Sequence, residues 1–249
     1  MARFGSVSRW LFLTAASILW FGGFCQTRAA AQPDVSDSDE IRVGQILAAQ
    51  FIKEQGLGET AQTKEIERYL QMVGDKVTAH SRRKLPYRFH FDPDPMFRSA
   101  VGLPGGEVFV GGGILAYMDT EDQLAAVLGH EVEHIDLGHC HDRLVKILED
   151  KHLTAAQFDQ LKVDDFLPGY GHDNERAADF EGTKLAIAAG YSPEGAVRLL
   201  RTFLVLSQQM PNSIEEEKSI EQRIELIQPL VHSANQVKER PLKLPPVMP

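Results

Sequence analysis

The chain has 249 residues and a formal charge of −9, with 43% hydrophobic and 24% charged residues. This is the composition of a folded chain with one well-buried domain, not of a disordered or low-complexity polymer. The acidic balance, with no basic cluster, excludes a nucleic-acid-binding surface.

Residues 1–31 carry the three-part pattern of a secretory signal peptide. Arg3 and Arg9 precede an apolar run from Trp10 to Cys25, and Ala29-Ala30-Ala31 offers a small-residue cleavage site. Thr14, Ser17, Gly22 and Gly23 interrupt the run and make it short and soft for a membrane span. Export to the periplasm is expected, with retention as an uncleaved N-terminal anchor as the alternative. Phe24 stands where a lipidated Cys25 would need a small neighbour, which argues against lipidation. Cleavage after Ala31 removes three arginines and no acid, leaving a charge of −12 and a single cysteine, Cys140. One thiol forms no intramolecular disulfide, so the exported domain must rest on its core.

Asp37 with Glu40 reads as an N-cap pair opening a helix to about Lys53, and a second helix runs from about Ala61 to Ala79. Tyr87 to Phe91 alternates and predicts a strand. Ala100–Leu103 and Glu107–Val110, joined by Pro104-Gly105-Gly106, predict a hairpin. Thr120 with Gln123 caps a helix with Leu124, Val127, Leu128 and Ile135 as its apolar stripe. Thr154 with Gln157 opens a short helix that Pro168-Gly169 ends. A further helix spans about Asp173 to Ala189, Ser192-Pro193 starts another, and Ser213 with Glu216 begins the last, to about Val231. The elements are mostly helical with strands clustered between helices two and three, so the fold class is α+β, mostly α. The domain is expected over 32–232 and a loose tail over 233–249.

His130-Glu131-Val132-Glu133-His134 forms one HExxH on the Thr120 helix. Residues four apart share a helix face, so His130 and His134 can bind one zinc ion. Glu131, one residue on, flanks that ion and is placed as the general base of a hydrolase. A shuffled chain would contain the pattern about once in forty, so a third ligand must decide. An HExxHxxGxxH site needs glycine at 137 and histidine at 140, where this chain has Leu137 and Cys140. A glutamate from a later helix fits instead. Asn174-Glu175-Arg176-Ala177-Ala178-Asp179 puts Glu175 and Asp179 on one face. Glu175 is then the third ligand, and Asp179 accepts a hydrogen bond from a ligand histidine.

Leu85 to Tyr191 resembles the gluzincin metalloendopeptidases of the HtpX, BepA and CAAX prenyl protease type. The resemblance lies in Leu103-Pro104-Gly105-Gly106-Glu107-Val108-Phe109-Val110, in Glu121 to Glu131, in His139 five after His134, in Glu175 to Asp179, and in Ala189-Gly190-Tyr191-Ser192-Pro193. It implies a zincin-like domain with a small sheet beside the HExxH helix, one Zn2+ per chain, and cleavage of internal peptide bonds. It further implies that the strand near Val108 borders the cleft and pairs with an extended substrate. The implied partners are unfolded or misfolded envelope proteins and envelope-assembly machinery. Two departures stand out. Arg98-Ser99-Ala100-Val101 replaces the family's Asn-Ala-Phe-Ala, and Glu217 replaces a histidine six residues before Arg223. That histidine and arginine serve the oxyanion in the family, so Arg223 and His172 are the candidate stabilisers here.

The expected function is an exported zinc endopeptidase acting on unfolded or misassembled envelope proteins. The rival is a chaperone-like binder on the same fold, against which the intact Glu131 speaks. Residues 150–172, linking the two ligand helices, are expected to form a lid.

Overall fold

The computed structural model describes residues 34–209, 214–233 and 237–244. The expected signal segment lies outside the described residues. In chain order these contain α1 (Asp37–Glu54), α2 (Ala61–Thr78), β1 (Arg88–Asp92), β2 (Ala100–Leu103) and β3 (Glu107–Gly111). A single turn α3 (Gly112–Leu115) leads to α4 (Glu121–Asp136), α5 (His139–Asp150), α6 (His172–Ala188), α7 (Glu194–Ser207) and α8 (Ile214–Ser233). The fold is α+β and mostly helical. Among the described residues no helix is long and apolar enough to cross a membrane.

The strands form one sheet of order β1-β3-β2, with β1 parallel and β2 antiparallel to β3. Every residue of β3 is buried, as a central strand covered on both faces must be. Its alternation splits the core. Val108 and Val110 join Phe89, Phe91 and the inner faces of α2 and α4, whereas Phe109 joins Val101, Leu103 and α1. A third apolar cluster seats α7 and α8 against α4 through Ala126, Val197, Leu200, Ile220 and Ile227. The metal-candidate helix α4 therefore lies at the centre of the molecule, packed on several sides.

Several sequence expectations change. The α1 cap is Ser36 with Asp39, not Asp37 with Glu40. Glu40 is buried instead, where its carboxylate meets Arg83 and His141. Gly138, at φ 86°, ends α4 and starts α5, a helix not separately anticipated. The segment expected as a short helix and lid is two 3-10 turns, Ala155–Gln160 and Val163–Asp165. Phe158, Leu161, Val163 and Phe166 of this segment bury into the second core. Of the tail expected to be loose, residues 237–244 form a strap. Pro241 bridges Thr120, the Glu121 amide donates to the Arg240 carbonyl, and the Leu242 amide donates to the Asp119 carbonyl.

Candidate metal centre

The α4 helix starts with a reciprocal Thr120–Gln123 capping box and is buried along nearly its whole length. Its two histidines lie one turn apart and meet edge to face, with their Nε2 atoms 3.0 Å from each other. Helix α6 crosses α4 at a pair of glycines. A Cβ on Gly129 would meet the Gly182 carbonyl at 2.6 Å, and one on Gly182 would meet the His130 amide nitrogen at 2.6 Å. Backbone thus touches backbone, and that close approach carries Glu175 and Asp179 to the histidines. Glu175 Oε2 lies 3.4 Å from His130 Nε2, and Oε1 lies 3.7 Å from His134 Nε2.

These residues fit a zinc ion. Bonds of 2.0–2.1 Å in a tetrahedron put neighbouring ligand atoms about 3.3 Å apart, close to the three separations here. The remaining ring nitrogens are held. His130 Nδ1 is 2.8 Å from Asp179 Oδ1, and His134 Nδ1 is 2.9 Å from His139 Nδ1. With Nδ1 carrying the proton on each ligand ring, both Nε2 lone pairs face the same point. The electrostatics favour a cation there. Burial opposes charge on His130, yet the Asp179 and Glu175 carboxylates raise its pKa to about 10. Burial dominates at His134 and lowers its pKa to about 4. Burial also opposes ionisation of Glu175, but the two imidazoles hold it far below the usual carboxylate range. The structure brings Glu175 together with His130 and His134 in one group that could hold a metal ion.

Glu131 is buried at the floor of a cleft of about 690 Å³ that His130, His134 and Glu175 also line. Its Oε2 accepts a hydrogen bond from the Gly102 amide at 2.8 Å, and burial raises its pKa. The cleft is bordered by Arg98 to Val101, the start of β2 and the two residues that lead into it. This corrects the expectation about the strand near Val108: β3 is paired on both sides, and β2 is the edge strand at the cleft. Leu199, Leu200 and Phe203 of α7 and Ile220 of α8 give the same cleft an apolar lining.

Arg223 and His172 both line the cleft. Arg223 Nε and Nη2 donate to Asp179, the second at 2.9 Å, and Nη2 lies 4.0 Å from Glu175. Its guanidinium is thus engaged with the carboxylate behind His130. His172 is exposed, with Nδ1 3.0 Å from Ser219 Oγ on α8. The sequence reading missed the contacts of Gly102, Tyr170 and Arg143. Tyr170 stacks on His134 with ring centroids 4.4 Å apart, and its amide donates to Glu175 Oε1 at 3.1 Å. No local pattern encodes these contacts; the order Pro168-Gly169-Tyr170-Gly171 five residues before a ligand was the only available signal.

The family model of Peptidase family M48 matches residues 61–234. The chain belongs to Peptidase family M48. That span contains the whole cluster of His130, Glu131, His134, Glu175, Asp179 and Arg223. The M48 chain is 30% identical over 177 residues to the mitochondrial metalloendopeptidase OMA1 of Schizosaccharomyces pombe, a match covering 67% of this chain and 52% of that protein. It is 28% identical over 91 residues to the beta-barrel assembly-enhancing protease of Escherichia coli, covering 36% of this chain and 18% of that protein. The same identity and coverage are found with the Shigella flexneri protein of that name. The chain therefore spans about half the length of one curated relative and under a fifth of the others.

Proposed function

We propose that this M48 chain is a zinc-dependent endopeptidase that hydrolyses internal bonds of unfolded or misassembled cell-envelope proteins. The observation that carries the reading is the convergence of His130, His134 and Glu175 on one point, with Glu131 beside it and hydrogen-bonded to the cleft-edge strand. A zinc ion bound by these three residues would polarise the scissile carbonyl and lower the pKa of a bound water to about 7. Glu131 is the base that takes the proton from the attacking water and delivers it to the departing amine. An extended peptide adds to the cleft edge of β2 ahead of Gly102 by main-chain hydrogen bonds, which reads backbone more than side chain and suits unfolded substrates. Asp179 and His139 fix the ligand rings, and Arg223 fixes Asp179. Arg223, through donors not used by Asp179, and His172 are the proposed groups for the oxyanion.

The envelope assignment rests on the signal-like residues 1–31 and on the relatives named as beta-barrel assembly-enhancing proteases. On this reading the chain is exported to the periplasm and works alongside envelope-assembly machinery. The decisive experiment is Glu131→Gln. Cleavage of a casein-like substrate should vanish while zinc stays near one per chain, and peptides trapped by this variant should be envelope proteins. A wild type that holds unfolded chains without cutting them would favour the chaperone-like binder.

A further inference from the structure

Tyr170 makes contacts that the proposed hydrolysis does not use. It belongs to the link between the 3-10 turns and α6, yet touches both ligand helices. Its ring stacks on His134 at 4.4 Å and 25°, and lies 5.8 Å from the His139 ring. Its amide donates to Glu175 Oε1 at 3.1 Å. Its hydroxyl is 3.1 Å from Cys140 Sγ, and that thiol is 3.5 Å from the Gly102 carbonyl. Gly102 is the residue whose amide holds Glu131. One residue therefore meets a ligand ring from α4 through its ring, a ligand carboxylate from α6 through its backbone amide, and the Cys140 thiol under the edge strand through its hydroxyl.

Arg143 of α5 holds this tyrosine from the far side. Its guanidinium lies 3.8 Å over the Tyr170 ring. The same group donates to the carbonyls of Phe166 at 2.8 Å, Gly169 at 2.8 Å and Pro168. A planar fork that satisfies three carbonyls and stacks on a ring fixes a loop in a way lysine cannot reproduce. The sandwich Arg143–Tyr170–His134 turns the glycine-rich link into a clamp on the ligand set.

Resting on the metal-centre reading, we infer that Tyr170, held by Arg143, is a positioning residue for His134 and Glu175 and sets the affinity and geometry of the metal site. It acts through the ligands, in the way outer partners of metal ligands do, where losses of 10- to 100-fold are typical. The Tyr170 hydroxyl is secondary, because the ring stack and the backbone amide carry the ligand contacts.

The test uses the full chain, zinc affinity by competition with a chromophoric chelator, and the absorption spectrum of the cobalt-loaded protein. Tyr170→Leu should weaken zinc by about tenfold and alter the cobalt spectrum. Tyr170→Phe, which keeps the stack, should stay within about twofold of wild type. If Tyr170→Leu does not fold, Arg143→Lys decides: it keeps the charge, loses the planar stack, and should shift zinc affinity and the cobalt spectrum in the same direction. Affinity and spectrum unchanged in Tyr170→Leu, or in Arg143→Lys where that variant decides, overturn the inference and leave the metal centre standing. A wild type that takes up no stoichiometric metal overturns both.

Discussion

Arg223 and Asp179 form a two-point pair behind the candidate metal site: Nε and Nη2 of the guanidinium both reach the carboxylate, whose Oδ1 also lies 2.8 Å from His130 Nδ1. Burial alone would raise the Asp179 pKa, but Arg223 and His130 hold it below the usual carboxylate range. The carboxylate therefore stays ionised and orients the ligand ring. Asp179→Asn and Arg223→Ala should then weaken zinc together, by roughly 10- to 100-fold, in a chelator competition. An arginine serving the oxyanion alone would instead lower kcat at unchanged zinc affinity.

Gly102 ties the edge strand to the proposed base. A Cβ there would meet the Glu131 carbonyl at 2.9 Å, the Ile135 side chain at 3.4 Å and Glu131 Oε2 at 3.5 Å. Backbone cannot give way as a flexible side chain would, so Gly102→Ala must push β2 away from α4 and lengthen the amide–carboxylate hydrogen bond. Zinc stoichiometry should be kept, while kcat falls about tenfold as the base loses its fixed position. Full turnover in Gly102→Ala would show that β2 does not set Glu131.

What the sequence made legible follows from how local the signals were. The Thr120 box and the apolar stripe of α4 are short-range patterns, and they located His130, Glu131 and His134 on one helix face. Glu175 and Asp179 were legible for the same reason: each pair sits within one turn. The hairpin was read from its glycine turn, but its place in the sheet was not, because which strand lies at an edge depends on pairing with β1. Helix α5 was missed because its opening, His139-Cys140-His141-Asp142, has no capping side chain and begins at a left-handed glycine. The short helix expected after Thr154 was misread for a packing reason: Phe158, Leu161, Val163 and Phe166 follow no helical period, yet all four are buried in the second core.

The strap over 237–244 makes a stability prediction. Asp122, fully buried, accepts from the Ser192 amide at 2.7 Å through Oδ1 and from the Arg240 amide at 2.7 Å through Oδ2. It thereby pins both the α6–α7 connection and the strap to the start of the metal helix. Asp122→Ala leaves two inward amides without their acceptor, at about 1–3 kcal/mol each. Tm should fall by several degrees, at roughly 2–4 °C per kcal/mol for a chain of this size. Deleting residues 237–249 should lower Tm in the same direction, and a deletion with wild-type Tm would show that the strap contributes nothing.

The glycine pair at the α4–α6 crossing gives the sharpest link between packing and metal. A Cβ on Gly182 would stand 2.6 Å from the His130 amide nitrogen and 2.7 Å from the Gly129 carbonyl carbon. In a free helix Gly182→Ala would be stabilising by about 1 kcal/mol. Here the helices must separate by the better part of an ångström, an overpacking cost of about 1–3 kcal/mol that offsets the propensity gain. The separation also carries Glu175 and Asp179 away from His130 and His134, since all four lie within two turns of the crossing. Two readouts divide these effects. The Tm of the metal-free variant reports the packing cost alone. The extra stabilisation on adding zinc reports the site, because each tenfold loss of affinity removes about 1.4 kcal/mol of that increment at saturating zinc. Gly182→Ala should show a clearly reduced zinc increment, beyond any change in the metal-free Tm. An increment equal to wild type would mean that the loop carrying Tyr170, and not the helix crossing, sets the distance from Glu175 to the histidines.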